Sequence, residues 1–97
     1  MPQYIILVKL TDQGTRAAKD SPKRSRDAQK EAEKLGGKYT PYYTFGEYDL
    51  VALLEMPNDE AALTFVSNLV SLGNAKSTTL KAFTLEEAEK IIGGKPS

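Results

Sequence analysis

The stretch from Gly46 to Met56 opens with a turn-like Gly-Glu, runs into the most apolar segment of the chain and predicts a central β-strand. Successive side chains of a strand point to opposite faces of its sheet. One face would carry Tyr48, Leu50, Ala52, Leu54 and Met56, and the other Asp49, Val51, Leu53 and Glu55. A strand with one solvated face alternates apolar and polar residues, whereas this one is apolar on both sides in its middle. We therefore expect both faces to be covered, one of them by another molecule.

Three further segments have the pattern of strands, and their polarity predicts the place of each in the sheet. The segment Gln3–Thr11 is apolar on both faces in its middle, so it is expected in the interior. The segment Lys38–Phe45 contains Pro41, which lacks an N–H donor and favours an edge strand or a bulge. A turn at Gly46 would join it to the central strand as a hairpin. The threonine-rich segment Ala75–Phe83 is expected at the other edge.

Helical patterns occupy the intervals between these strands. A short helical turn is predicted over residues 15–20, with Thr11 or Asp12 as a candidate N-cap before it. The next helix is predicted from Ser21 to Leu35, with Ser21 as N-cap, Pro22 in the first helical position and a left-handed C-cap at 36–37. Its inner stripe consists of small residues and one leucine, namely Ser25, Ala28, Ala32 and Leu35.

Two more helices follow in the second half of the chain. One begins after an N-cap at Asn58 or Asp59 and continues to about residue 72, with a wide apolar stripe. That stripe consists of Ala62, Phe65, Val66, Leu69 and Leu72. The other is a short helix over 85–92, where Thr84 and Glu87 have the spacing of a capping box.

The order of these elements predicts an α+β fold of the ferredoxin-like, split βαβ type: βαββαβ with a short C-terminal helix. Its usual strand order, 4-1-3-2, places the two doubly apolar strands in the middle and the other two at the edges. We expect a single domain over residues 1–92 and a flexible tail over 93–97.

Both main helices should cover the same face of the sheet, because right-handed crossovers place them on one side. The other face, about 400 Å² from strand number and length, would remain apolar and exposed. Pairing two such faces about a two-fold axis would cover both, so we predict a homodimer, with a larger ring as an extension. The alternative is a monomer whose C-terminal helix covers this face.

Composition narrows the function classes. Thirteen basic and thirteen acidic residues cancel, which gives no overall field toward nucleic acid or a membrane. The chain contains neither histidine nor cysteine, which removes the commonest general base, the commonest metal ligands and thiolate chemistry. No signal peptide or membrane-spanning run is predicted, so the expected location is the cytoplasm. We predict no cofactor and no metal site.

Two carboxylates on the central strand are the candidates for catalysis. Asp49 follows Tyr48, and a carboxylate beside a phenol would take a proton from an acidic substrate or orient a bound hydroxyl. In the alternative interpretation, Tyr48 packs in the core while Asp49 caps backbone N–H groups. Glu55 in a barrel lumen would have a raised pKa and act as a base. In the alternative interpretation, it pairs with Lys81 or Lys9.

The remaining candidates are ligand-binding residues. Gly14 precedes a group of basic residues that consists of Arg16, Lys19, Lys23, Arg24 and Arg26. Together with the N–H groups of the helix that begins at Ser21, these would bind a phosphate or carboxylate; the alternative is a solvated helix face. Tyr43 belongs to an aromatic group that would line a ligand pocket or, in the alternative, pack in a core or dimer interface. Gly46 is required by the geometry of the turn or, in the alternative, contacts a ligand.

The chain resembles the GYD family of small proteins in the joint order of several short motifs. They are Thr11-Asp12-Gln13-Gly14, residues 19–24, residues 35–38, Gly46-Glu47-Tyr48-Asp49, residues 55–60 and residues 78–83. The resemblance covers nearly the whole chain. It implies a branch of the dimeric α+β barrel proteins and no established activity. That wider group includes oxygenases, haem-handling enzymes, isomerases and ligand-sensing domains, but the missing histidine excludes histidine-based haem ligation and proton transfer here.

Three functions follow as hypotheses. The first is a cytoplasmic homodimer that binds a small organic ligand between sheet and helices near Tyr48 and Asp49, as a sensor, carrier or accessory subunit. The second is a cofactor-free oxygenase or isomerase that uses Asp49 or Glu55 as base. The third is a structural assembly module that builds larger rings.

Overall fold

The computed structural model of the protein describes residues 1–94. Its elements are the strands β1 (Gln3–Leu10), β2 (Lys38–Tyr43), β3 (Leu50–Glu55) and β4 (Ala75–Ala82), and the helices α1 (Asp12–Arg16), α2 (Ser21–Lys34), α3 (Asp59–Val70) and α4 (Leu85–Ile92). A 3₁₀ turn at Ala18–Asp20 leads into α2. The predicted tail falls largely on residues 95–97, which lie outside the described residues. The tail and the predicted domain limits therefore stay predictions.

The four strands form one antiparallel sheet in the order β2-β3-β1-β4, which confirms the predicted arrangement. The strand with Pro41 is an edge strand, where the missing N–H removes no bond from the sheet interior. The threonine-rich β4 forms the other edge. The α+β fold is therefore compatible with the ferredoxin-like type.

One face of the sheet, together with α2 and α3, forms the core. The side chains of this face are buried: Tyr4, Ile6 and Val8 on β1, Tyr39 on β2, and Leu50, Ala52 and Leu54 on β3. Ala32 of α2 and Phe65 of α3 lie over them, and the Phe65 ring meets the Tyr39 ring with centroids 5.0 Å apart. The small inner residues of α2 allow the helix to lie close to the sheet.

The opposite side of the sheet, called here the open face, has an apolar centre. The strand registers align Tyr42, Val51, Leu7 and Thr78 in one row and Thr40, Leu53, Ile5 and Leu80 in the next. Charged residues lie beyond them, with Lys38 and Glu55 at one end and Lys9 and Lys76 at the other. At the margins of this face, Tyr42 is 62% and Leu80 46% exposed.

Helix α4 does not bury its apolar residues against the open face. Leu85, Ile91 and Ile92 are 72%, 65% and 84% exposed. The molecule measures 50 × 30 × 16 Å, and 16 Å accommodates a sheet with one helix layer, whereas layers about 10 Å apart on both sides would need more. Its radius of gyration, 14.7 Å, exceeds the roughly 12.5 Å of a compact chain of this length. The arrangement in which α4 covers the sheet is therefore absent.

Local signals predicted most helix ends. Thr11 caps α1, Asn58 caps α3, and Thr84 forms the predicted capping box with Glu87. Gly36, with φ of +87°, ends α2 as expected. The prediction that Ser21 caps α2 is wrong, because the 3₁₀ turn continues into the helix and Ser21 is its first residue.

Three smaller predictions about the strands and α3 also need correction. The central strand begins at Leu50 and not at Gly46, because residues 45–49 form an irregular turn. Phe45 is in that turn and fully exposed, whereas it was expected on β2. Leu72 follows the end of α3 at Val70 and is exposed, so it does not belong to the buried stripe.

Candidate functional site

Asp49 lies at the end of the sheet where the β2–β3 turn meets the end of β1. Its carboxylate accepts a hydrogen bond from the backbone N–H of Leu10 at 2.8 Å, and its own N–H donates to the carbonyl of Val8 at 2.9 Å. These bonds continue the β1–β3 pairing one residue past the last ladder pair, Val8 and Leu50. The placement is that of a residue capping backbone N–H groups, the alternative considered above.

Tyr48 and Gly46 lie in the same turn. Lys9 is placed over the Tyr48 ring, with its Nζ 5.6 Å from the ring centroid, and also forms an exposed 3.8 Å ion pair with Glu47. Gly46 has a φ of +103°, and no atom lies within 4 Å of where a Cβ would be. The positive φ of the backbone therefore explains the glycine at this position, and steric contact with a neighbour does not.

Glu55 lies at the far end of β3 from Asp49, so the two carboxylates do not form one site. Glu55 follows Asp49 by six residues, and six steps along a strand span about 20 Å. Glu55 is half-buried on the open face, aligned with Gln3 on β1 and Lys38 on β2. Within residues 1–94 it forms no ion pair: Lys9 pairs with Glu47 and Lys81 with Asp59. The predicted ion pair of Glu55 is therefore wrong.

Gly14 belongs to a contact between α1 and the turn that precedes β4. A Cβ at Gly14 would lie 2.0 Å from the backbone oxygen of Asn74, so only glycine permits this approach. Thr11 donates from its hydroxyl to the carbonyl of Gly73 at 2.6 Å, and Gln13 donates to the carbonyl of Leu72 at 2.9 Å. The Thr11–Gly14 motif thus joins two distant segments of the chain.

The basic residues predicted as an anion site separate in the structure. Arg16, Lys19, Lys23 and Arg26 are exposed. Arg24 instead turns inward, where its Nη1 donates to the carbonyl of Ala17 at 3.1 Å. Its Nη2 is buried and has no hydrogen-bond partner among the described residues.

A cavity of about 250 Å³ opens between α2, α3 and the helix-covered face of the sheet. Its walls include Val8, Leu50 and Phe65 from the core and Arg24, Ser25, Asp27 and Glu31 from α2. None of the predicted ligand residues, Gly14, Arg16, Tyr43, Gly46, Tyr48 or Asp49, lines it. Tyr43 approaches it indirectly, because its hydroxyl bonds the hydroxyls of Ser21 at 2.8 Å and Ser25 at 3.0 Å, and both serines border the cavity.

One wall residue of the cavity has a strongly shifted titration. Burial, with a smaller contribution from the nearby Tyr43, raises the pKa of Tyr39 to about 12. A tyrosine is already neutral at physiological pH, and burial favours its neutral form further, so this wall carries no negative charge.

A polar cluster joins the beginning of α3 to the interior strand β1 and the edge strand β4. Asp59 accepts hydrogen bonds from the Tyr4 hydroxyl and from Lys81, whose Nζ is 2.7 Å away. The hydrogen bond from Lys81, followed by that from Tyr4, lowers the pKa of Asp59, and the Asp59 carboxylate raises the pKa of Lys81. Burial, together with the bond to Asp59, raises the pKa of Tyr4.

Sequence reasoning did not predict this cluster, because its members are 55 and 22 residues apart from Asp59. A weak signal was available: Tyr4 is a polar-tipped residue on the buried face of a strand, and a buried tyrosine hydroxyl usually finds a partner.

Residues 1–94 contain no group of three or more Asp, Glu, His or Cys side chains arranged to hold a metal ion. None of the helices in this part of the chain has the length and apolar character needed to cross a membrane.

The chain is similar to a protein whose name describes the binding of two enzymes. A protein of Thermus thermophilus named glutamine synthetase and cystathionine beta-lyase binding protein is 29% identical over 89 residues, which make up 90% of this chain and 94% of that protein. No solved structure matches the chain significantly. The family profile described as GYD domain matches residues 4–92, which confirms the resemblance seen in the motifs, and the protein belongs to the GYD domain family.

Proposed function

We propose that the protein is a homodimeric accessory protein that binds a partner enzyme. The observation that carries the dimer is the open face, whose apolar centre of Ile5, Leu7, Val51, Leu53 and Leu80 has no helix over it. An apolar face of about 400 Å² is within the range of the largest patches on monomers, which often mark interaction sites. Two copies related by a two-fold axis would cover both faces at once.

Helix α4 supports the same proposal. A standard interface buries about 800 Å² on each partner, roughly twice the area of the sheet face alone. Phe83, Leu85, Ile91 and Ile92 are all more than half exposed and continue the apolar surface beyond β4. In the proposed dimer, α4 of one protomer packs on the other protomer and supplies the remaining area.

The role as an accessory protein is extended from the Thermus relative, whose name describes binding to glutamine synthetase and cystathionine beta-lyase. The β2–β3 turn offers an anchor for such a partner, because Phe45 at its tip is fully exposed. Large aromatic side chains are enriched among the residues that dominate binding energy. The two enzymes of the same cell are therefore the first partners to test.

A second candidate function, binding of a small ligand as a sensor or carrier, is supported by the cavity between α2, α3 and the sheet. In this proposal the ligand occupies that cavity and not the surroundings of Tyr48 and Asp49. The enzyme hypothesis receives less support, because the Asp49 carboxylate already accepts the Leu10 N–H and Glu55 lies about 20 Å away. The assembly-module hypothesis shares the dimer with the main proposal, but it adds larger rings and requires no partner enzyme.

Sedimentation velocity at micromolar concentration tests the dimer. We expect the wild-type protein to sediment as a dimer and Leu53→Glu, which places a charge in the open face, as a folded monomer. Leu63→Glu is the matched control, since Leu63 is an exposed leucine on α3, outside the open face, and this variant should remain dimeric. A monomeric wild-type protein would overturn the dimer, and a larger ring would favour the assembly module.

Surface plasmon resonance with the purified glutamine synthetase and cystathionine beta-lyase of the same organism tests the partner. Binding by wild type, weakened at least tenfold in Phe45→Ala and unchanged in Leu63→Ala, would support docking through the β2–β3 turn. If neither enzyme binds, the extension from the relative is wrong, whatever the result for the dimer.

A further inference from the structure

The cavity between α2, α3 and the sheet combines an apolar floor with charges of both signs on one helix. We infer that it is a binding site for a small zwitterion, an α-amino acid with a short apolar side chain. Arg24 would bind the carboxylate and Asp27 the ammonium group. This inference rests on the proposed ligand-binding role of the cavity, and it does not depend on the dimer or on a partner enzyme.

The floor of the cavity suits a short side chain. Val8, Leu50, Phe65 and Leu69 line it, and they provide an apolar surface without charge. A volume of about 250 Å³ lies below the roughly 300–1,000 Å³ typical of pockets for drug-sized ligands. The space therefore fits a molecule of amino-acid size.

Arg24 has unused capacity to donate hydrogen bonds. Nη1 donates to the Ala17 carbonyl at 3.1 Å. Nη2 is buried and without a partner among residues 1–94. A buried donor that lacks an acceptor is costly, and more so when it is charged. A carboxylate that reaches the guanidinium after a small side-chain shift would satisfy this donor in the geometry that arginine favours.

Ser21 and Ser25 provide a further polar contact on the same wall. Both hydroxyls bond the Tyr43 hydroxyl, at 2.8 and 3.0 Å. Each hydroxyl has one proton to donate, so Tyr43 donates to one serine at most. That serine keeps its own proton free to donate to a ligand oxygen. Tyr43 therefore acts as a positioning residue, one step behind the cavity wall.

The negative charges on α2 explain why the ligand needs an ammonium group. Asp27 and Glu31 follow Arg24 by three and seven residues, which places all three on one side of the helix, and all three line the cavity. The rise from Arg24 is about 4.5 Å to Asp27 and about 10.5 Å to Glu31. Because the two charged groups of an α-amino acid share one carbon, Asp27 is the better placed partner.

Both acidic side chains keep an oxygen available. Asp27 accepts from Lys23 through Oδ2 at 3.2 Å, and Glu31 accepts from Asn68 through Oε1 at 2.6 Å. A ligand with only a carboxylate would meet two negative side chains, and a ligand with only an amine would meet Arg24. A zwitterion matches both signs, and this complementarity gives the expected specificity.

Isothermal titration calorimetry with three probes of one carbon skeleton tests the inference on the wild-type protein. The probes are L-leucine, 4-methylpentanoate, which lacks the amine, and isopentylamine, which lacks the carboxylate. We expect L-leucine to bind at least tenfold more tightly than either of the two half-molecules. Equal binding of 4-methylpentanoate, or no binding of L-leucine at millimolar concentration, would overturn the inference.

Variants assign the roles of the two charged residues. Arg24→Gln and Asp27→Asn should each weaken amino-acid binding at least tenfold, while Arg26→Gln, which changes an exposed arginine of the same helix, should leave it unchanged. Asp27→Asn removes only an exposed pair with Lys23, so folding is expected to be intact. Wild-type affinity in Asp27→Asn would overturn the role of Asp27.

The outcome is separable from that of the proposed function. Sedimentation and partner binding are measured on the same samples without added amino acid. Loss of amino-acid binding with an intact dimer would leave the accessory role standing. A monomeric protein that still discriminates L-leucine from its two half-molecules would retain this inference and reject the dimer.

Discussion

The carboxylate of Asp49 accepts a hydrogen bond from the backbone N–H of Leu10 at 2.8 Å, 39 residues away in the chain. It satisfies a donor at the point where β1 ends and thereby holds the β2–β3 turn against that strand. A hydrogen bond to a charged group contributes about 1.5–3 kcal/mol when buried, and less in an exposed position such as this.

Removal of this acceptor should affect stability. We expect Asp49→Ala to lower the free energy of unfolding by about 1 kcal/mol, and Asp49→Asn, which keeps an oxygen acceptor, to lower it by less. Urea unfolding measures both, with Glu47→Ala in the same turn as the control. If Asp49→Ala is as stable as wild type, the Leu10 bond contributes nothing, and a functional role for Asp49 becomes the better explanation.

A side chain at Gly14 should separate α1 from the turn before β4. The Cβ of Gly14→Ala would lie 2.0 Å from the Asn74 oxygen, a backbone atom that cannot move without shifting β4. We expect a loss of about 1–3 kcal/mol, the usual cost of overpacking. Thermal unfolding measures it, since about 1 kcal/mol shifts the Tm of a domain this size by about 4–8 °C.

Gly46→Ala is the comparison for Gly14, because it changes conformation without steric conflict. Gly46 has a positive φ but open space around it, so the expected cost is about 1–2 kcal/mol from backbone strain alone. A Gly14→Ala variant that unfolds at the wild-type temperature would show that the contact between the Thr11–Gly14 motif and Asn74 is loose in solution.

The Tyr4–Asp59–Lys81 cluster should make stability depend on pH in the acid range. Hydrogen bonds from Lys81 and Tyr4 lower the folded-state pKa of Asp59 below its unfolded value of about 3.9. The folded state therefore binds fewer protons at this site, so the contribution of Asp59 is present above about pH 4 and lost as the pH falls through the folded-state pKa.

An Asp59→Asn variant tests this dependence. It should be less stable than wild type at pH 7, and the difference should narrow as the pH falls below about 4 and through the folded-state pKa, as followed by urea unfolding. Glu60→Gln serves as the control. Glu60 is the next residue of α3 and is exposed, and its side chain forms no hydrogen bond or ion pair within residues 1–94. A difference that stays constant down to pH 2 would contradict the assigned cause.

The apolar residues of α4 should matter for association and little for the fold of one protomer. Because Ile91 and Ile92 are 65% and 84% exposed, a double change to serine removes little burial within the chain. We expect it to weaken the proposed dimer at least tenfold in sedimentation equilibrium while circular dichroism stays that of wild type. Leu63→Ser is the control, and an unchanged dimer constant would remove α4 from the interface.

The sequence predicted the positions of the four strands, the edge location of β2 and most helix caps. Each depends on residues close together in the chain: the alternation of apolar side chains, the missing N–H of Pro41, and the polar oxygens of Thr11, Asn58 and Thr84. The limits of β3 were less accurate, because Tyr48 and Asp49 have side chains compatible with a strand, while the irregular backbone at 45–49 is set by their contacts with β1.

The residues of the candidate site could be predicted less well from the sequence. Tyr43, Arg24 and Ser21 were each noted in the sequence, but as members of an aromatic group, a basic group and a helix cap. Only the packing of α2 on the sheet brings the Tyr43 hydroxyl to Ser21 and turns Arg24 inward while Arg26 stays exposed. Contacts between residues far apart in the chain depend on helix rotation and strand register, which local patterns do not specify.

The sequence by itself therefore determined the elements, their order and the sheet that they form, because periodicity and turn chemistry act over a few residues. The tertiary structure alone decided that Asp49 bonds Leu10, that Asp59 joins Tyr4 to Lys81, and that a cavity with Arg24 in its wall lies beneath α2. These relationships arise when distant segments pack at one particular distance and angle, and that geometry exists only in the assembled fold.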